Sequence, residues 1–248
     1  MDTLLQLNEP RRMNYMKGKL YYFYSCMGAM KSGTLITKYY QFQNTSNVDL
    51  IIAMKPREDT RTVGTISSRA IKTELPCYVF DKDKDLHKFV FSLMGQHLAK
   101  GEKLKNVIVF VDEINFATKE QVKQLFNLTR SQYNVKVFAY GLKTNYLNEL
   151  FESSQQLLIM ADEVAEIKSM CSTCTNKATT HLRYVNGKPV FEGNPCIVGD
   201  LAGEERYVSV CQECWHRVYN ESHNVGIDVG DFESKTINEP ISSAQRGE

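Results

Sequence analysis

The chain has 248 residues, with 30 Lys and Arg against 29 Asp and Glu, a net charge of +1. A hydrophobic share of 42% and a charged share of 24% match ordinary globular usage and exclude disorder along the whole length. The neutral balance argues against bulk coating of nucleic acid, and no run approaches the roughly 18 to 20 apolar residues of a membrane span.

Residues 1–17 are polar, with Pro10 and Arg11-Arg12, and are expected to form a loose arm without a signal peptide, in a cytoplasmic protein. Residues 19–24 (KLYYFY) read as a strand, the segment SCMGAMKSG as a loop, and residues 34–43 as a helix. Residues 48–54 (VDLIIAM) have the length and apolarity of a buried parallel strand, and residues 55–73 read as loop. A short strand at 77–80, a helix at 85–100, a buried strand at 107–111 (VIVFV) and a helix at 119–132 follow. A strand at 135–140 and a helix at 150–161 complete an alternation that implies parallel βαβ units. From about residue 168 the pattern changes. Residues 168–219 are expected to form a small second domain with a turn at Asn186-Gly187, and residues 220–248 a flexible tail.

The strongest chemical signal is Cys171-x-x-Cys174 with Cys211-x-x-Cys214. Two such knuckles supply four thiolates, the donor set of a closed structural zinc site, and a closed site is not catalytic. A redox pair and four coincidental cysteines are the weaker readings. Cys26, Cys77 and Cys196 are expected to be ordinary buried cysteines.

The segment from Ser25 to Ser32 lies between a strand and a helix, where a phosphate-binding loop sits. Lys31 and Ser32 supply the cation and the hydroxyl such a loop needs. Its glycines are misplaced, because the pattern wants Gly where Ser25 and Met30 stand. On the pattern alone an ordinary strand–turn–helix is the better reading. Asp112-Glu113 follows VIVFV directly, the place of a magnesium-associated acid with a neighbouring general base, although acidic turns are common. Asp59-Thr60-Arg61 and Ser67-Ser68-Arg69 offer two arginines to phosphate, or form a solvated charged loop.

Together KLYYFYSCMGAMKS, VFVDEINF, YGLKTNYLNELFESSQQLLIMADEVAEIKSMC and ERYVSVCQEC resemble the type II thymidine kinases, closest to the bacterial and phage branch, over about residues 19–219. The resemblance implies an α/β P-loop kinase domain at 18–167, with a parallel sheet, and a zinc-ribbon lasso domain. It implies transfer of the γ-phosphate of ATP, with Mg²⁺, to the 5′-hydroxyl of thymidine. By the same resemblance Ser25, Met27, Gly28, Lys31, Ser32, Asp59, Arg61 and Asp112 serve ATP and Mg²⁺, and Glu113 is the general base. Met27, Phe116, Leu142, Tyr146, Phe151 and Tyr207 wall the thymine pocket, and the four cysteines hold structural Zn²⁺. The resemblance also implies a homotetramer.

Two residues depart from the family pattern. Met30 replaces the Gly before the Walker lysine, and Asn115 replaces Gln after the acidic pair. If position 30 needs φ > 0, a Met there costs on the order of 1–2 kcal/mol and tilts the following N–H. The rival readings are a weakened or inactive nucleotide-binding homologue and a zinc-ribbon nucleic-acid binder. Loss of a zinc thiolate is expected to weaken nucleoside binding more than ATP binding.

Overall fold

In an extended strand Val107, Val109 and Val111 point one way and Ile108 and Phe110 the other, because successive side chains alternate across a sheet. An unbroken apolar run therefore demands cover on both faces. The computed structural model, which describes residues 18–193 and 205–223, provides that cover. The chain runs β1 (Lys19–Ser25), α1 (Lys31–Gln43), β2 (Leu50–Pro56), β3 (Thr65–Ser68), β4 (Thr73–Pro76), β5 (Tyr78–Phe80), α2 (Leu86–Ala99) and β6 (Asn106–Val111). A 3-10 turn (Ile114–Phe116), α3 (Lys119–Thr129), β7 (Asn134–Leu142), α4 (Glu152–Met160) and β8 (Glu163–Glu166) follow. The last elements are β9 (Thr180–Val185), β10 (Lys188–Val190), β11 (Glu205–Val210) and α5 (Gln212–Ser222).

The main sheet has six strands in the order β5-β2-β6-β7-β1-β8, all paired in parallel. Val107, Val109 and Val111 pack with Val90 of α2, Leu125 of α3 and Leu157 of α4. Ile108 and Phe110 face the other way, with Leu35 and Ile36 of α1 and with Ile66 and Leu75 of the β3–β4 hairpin. Phe138 and Tyr140 of β7 stack on Tyr21 and Phe23 of β1 across this second face, at centroid distances of 4.6 and 4.8 Å. No helix among the described residues is long and apolar enough to cross a membrane.

Several elements differ from the sequence reading. Helix α1 begins at Lys31, three residues early, so Lys31 and Ser32 form its first turn. Residues 55–73, read as loop, open with the end of β2 and contain most of the β3–β4 hairpin. Each hairpin strand buries one apolar residue, Ile66 or Leu75, among polar neighbours, too little to register as a strand. The edge strand β8, EVAE, was not expected and pairs in parallel with β1. Helix α5 continues past residue 219 to Ser222. The Asn186-Gly187 turn is present, with both residues at positive φ (51° and 75°), as a tight hairpin between β9 and β10 requires. The arm 1–17, Cys196 and the tail beyond residue 223 lie outside the described residues.

Candidate active site

Strands β1, β2, β6 and β7 end on one rim, the edge where parallel sheets bind ligands. The loop after β1 leads into the N-terminus of α1. Met30 occupies its N-cap without a side-chain bond to the first turn, and that turn carries no acidic residue. Its N–H groups are thus free of a capping carboxylate or hydroxyl and suited to an anion. Gly28 (φ 74°) and Met30 (φ 62°, ψ 29°) are both left-handed, so Met30 adopts the backbone a glycine would take. Lys31 is buried, with Nζ 3.4 Å from the Cys26 carbonyl. Ser25 lies deeper, donating its hydroxyl to the same carbonyl.

The Ser32 hydroxyl donates to Asp112 Oδ2 at 2.7 Å, joining the loop to the end of β6. Asp112 is buried, and its other oxygen, Oδ1, has no hydrogen-bond partner. Burial, with the Glu113 charge beside it, pushes the Asp112 carboxyl above its ordinary pKa, against the pull of Ser32, Lys31 and Arg61. A buried acid raised in this way, with an orphaned oxygen, fits a divalent cation at that position. Glu113 is also left-handed (φ 47°). That turn directs it away from the strand, and its Oε1 accepts from Arg61 Nη2 at 2.6 Å.

Arg61 is held in place from behind. Its Nε donates to Asp59 Oδ1 at 2.6 Å, and Lys55 Nζ donates to Asp59 Oδ2 at 3.2 Å and to the Thr62 carbonyl at 2.5 Å. Burial opposes the Asp59 charge, but Arg61 and Lys55 outweigh it and hold the carboxyl below the usual range. A cleft of about 170 Å³ separates Lys31 and Ser32 from Ser67, Ser68 and Arg69 of the hairpin. The hairpin thus presents its arginine to the same space as the phosphate-type loop.

A second cavity, of about 140 Å³, has Phe116, Leu142 and Tyr207 on its apolar side and Lys31, Arg61 and Glu113 on its polar side. Met27 also lines it. Tyr146 and Phe151 stand in contact with these wall residues. Tyr146 meets Tyr207 edge to face and donates its hydroxyl to the Glu192 carbonyl, while Phe151 meets the edge of Phe116. Asn115 fixes the wall, its Oδ1 accepting from the Leu142 N–H at 3.0 Å.

The Sγ atoms of Cys171, Cys174, Cys211 and Cys214 all lie within 4.8 Å of one another, and Cys174 and Cys211 are 3.6 Å apart. Tetrahedral zinc with bonds of about 2.3 Å places its sulfurs roughly 3.8 Å apart, so the donor set and its spacing fit the ion. Cys211 caps α5 and Cys214 lies in its first turn, directly after β11. Cys26 is buried as expected, whereas Cys77 is only partly so.

Three residues of the site were not singled out in the sequence. Lys55 is buried at the carboxyl end of β2, and a lysine closing an apolar strand was the available signal. His181 and Ser209, on β9 and β11, contact the Met27 backbone through hydrogen bonds of 2.8 and 2.7 Å. Burial and then the Lys31 charge lower the His181 pKa to about 3, which keeps it neutral and its Nε2 an acceptor. Only the fold brings these two to the loop.

The sequence model of the family described as thymidine kinase matches residues 18–215. A thymidine kinase of Legionella pneumophila (strain Lens) is 38% identical over 196 residues, covering 78% of this chain and 87% of that protein. Those of Lactococcus lactis (strain IL1403) and Streptococcus pyogenes serotype M3 are 33% and 34% identical, each covering 79% of this chain and 95% of the relative. With a parallel sheet, a lysine–serine loop tied to the acid after β6, and a four-cysteine cluster beside them, the chain belongs to the thymidine kinase family.

Proposed function

We propose that this kinase transfers the γ-phosphate of ATP to the 5′-hydroxyl of thymidine, giving dTMP and ADP, as a cytoplasmic enzyme of nucleotide salvage. The observation that carries the reading is the division of labour between consecutive carboxylates. Asp112 turns to the Ser32 hydroxyl of the phosphate-type loop, and Glu113 faces a cavity walled by Phe116, Leu142 and Tyr207. A nucleoside with its base against that apolar wall has its sugar hydroxyl toward Glu113.

Phosphoryl transfer is mostly positioning and charge neutralisation. Lys31 and the first-turn N–H groups of α1 would hold the β- and γ-phosphates. Ser32 and Asp112 would hold Mg²⁺, and a bound Mg²⁺ neutralises phosphate charge. Glu113 takes the proton of the 5′-hydroxyl as that oxygen bonds to the γ-phosphorus, and the bond from phosphorus to the bridging oxygen breaks to release ADP. Arg61, whose side chain is 44% exposed, is ion-paired to Glu113. Arriving phosphate competes for that guanidinium, and its departure uncovers the carboxylate. Arg69, across the cleft, is the second cation available to the phosphates.

A coupled ADP-release assay with ATP, Mg²⁺ and each deoxynucleoside in turn tests the assignment, and thymidine should be preferred. Glu113→Gln should keep thymidine binding while turnover falls roughly 10²–10⁴-fold, the range of general-base catalysis. Full turnover in that variant would remove the assigned role. An active site without turnover in the wild type would favour the nucleotide-binding homologue.

A further inference from the structure

The phosphate-type loop enters its turn through Met27, and both backbone polar groups of that residue are taken by the cysteine-bearing ribbon. The Met27 N–H donates to His181 Nε2 at 2.8 Å, and its carbonyl accepts from Ser209 Oγ at 2.7 Å. His181 and Ser209 are directly opposed in the antiparallel β9–β11 ladder, so their side chains leave the same face of the ribbon. His181 is buried, and its neutral ring must present a lone pair at Nε2 to accept from Met27.

The downstream end of the loop is fixed by α1. Between the two ends stand the left-handed residues Gly28 and Met30, which no ladder restrains. Pinning Met27 on both sides therefore determines where the N–H groups of the turn point. Tyr207 precedes Ser209 by two residues, so it shares the face of β11 that carries Ser209. Tyr207 also walls the cavity assigned above to the base. One ribbon face thus contacts both the nucleoside cavity and the first residue of the phosphate loop.

We propose that His181 and Ser209 are positioning residues that latch the phosphate loop to the ribbon, so that a nucleoside held against Tyr207 tightens the binding of MgATP. The proposal rests on reading the loop as the ATP cradle. The coupling is reciprocal, because each ligand favours the same seated ribbon.

The test is titration of MgATP into the full-length, zinc-loaded protein with and without 5′-deoxythymidine, which lacks the accepting hydroxyl and cannot turn over. In the wild type the nucleoside should tighten MgATP binding several-fold. His181→Leu removes the acceptor of the part-buried Met27 N–H, and MgATP affinity should fall several-fold, with the nucleoside effect lost. His181→Gln offers an amide oxygen in place of Nε2 and should restore both. Ser209→Ala removes a hydroxyl from a residue that is not fully buried, and should weaken the nucleoside effect while zinc content and unfolding midpoint stay as in the wild type. That variant carries the test if His181→Leu does not fold. Wild-type affinity and coupling in His181→Leu or Ser209→Ala would overturn the latch. So would a zinc-loaded His181→Gln as defective as His181→Leu. A wild-type protein that fails to bind MgATP at all would instead remove the cradle reading.

Discussion

Met30 is the residue at which backbone preference and site geometry conflict. It stands left-handed at the N-cap of α1, with its side chain half exposed. A side chain held there costs roughly 1–2 kcal/mol relative to glycine. The sequence alone suggested that a Cβ here would tilt the following N–H from phosphate. In the structure the left-handed turn is made and α1 starts directly after it. We therefore expect the strain to fall on stability rather than on the aim of the loop. Met30→Gly relieves the strain but frees the unfolded chain, which offsets roughly 0.4–1 kcal/mol of the gain. The expected outcome is a net stabilisation of about 0.5–1 kcal/mol, read as a higher urea midpoint at unchanged slope. MgATP affinity should change little. A large gain in affinity without a gain in stability would mean that Met30 distorts the cradle after all.

At the scale of elements, the cavity proposed for the base depends on how closely β7 approaches the 3-10 turn after β6. A Cβ on Gly141 would lie 2.8 Å from both Asn115 Oδ1 and Ile114 Cγ2, and 3.0 Å from the Asn115 backbone nitrogen. The Asn115 amide is the group that fixes the Leu142 N–H. Gly141→Ala should therefore cost roughly 1–3 kcal/mol by overpacking. It should also raise the KM for thymidine more than that for ATP, since Phe116 and Leu142 are displaced together. Equal KM changes would show that the wall does not move as a unit. The long apolar runs were legible because strands buried on both faces leave an uninterrupted signal, as 107–111 did. The β3–β4 hairpin was not legible, since one buried residue per strand leaves no pattern. Yet this hairpin brings Ser67, Ser68 and Arg69 to the cleft beside Lys31 and Ser32. The cysteine knuckles carry their chemistry in residue type and spacing and so could be named from the chain, whereas the lysine–serine loop and the acidic pair are ambiguous as patterns and were named through the family resemblance. Lys55, His181 and Ser209 act through partners distant in sequence or through burial, which only the fold supplies.

For the whole molecule, the question is whether the cysteine cluster serves one substrate or both. The sequence reading assigned it to the nucleoside, with the ATP cradle in a separate domain. The structure joins the two at Met27 and adds a Lys177–Glu166 ion pair of 2.7 Å between the cysteine-bearing segment and β8. The core beneath the ribbon is small. Among the described residues its buried members are Leu182 and Val210, together with Cys171, Cys211 and Cys214, with Tyr184, Phe191, Val208, Trp215 and Val218 partly buried against them. A core this small is expected to need a metal link to hold three strands and a helix. Zinc would connect the Cys171–Cys174 loop to the junction of β11 and α5, and its loss should free β11 with both Tyr207 and Ser209. Chelation, or Cys174→Ser, should therefore weaken thymidine and MgATP binding together, while most of the far-ultraviolet signal of the six-stranded sheet and its helices persists. Titration of each ligand into chelated protein reads this directly. Loss of thymidine binding with MgATP affinity intact would show that the ribbon serves the nucleoside alone, and that the phosphate loop keeps its shape from α1 and β1 without it.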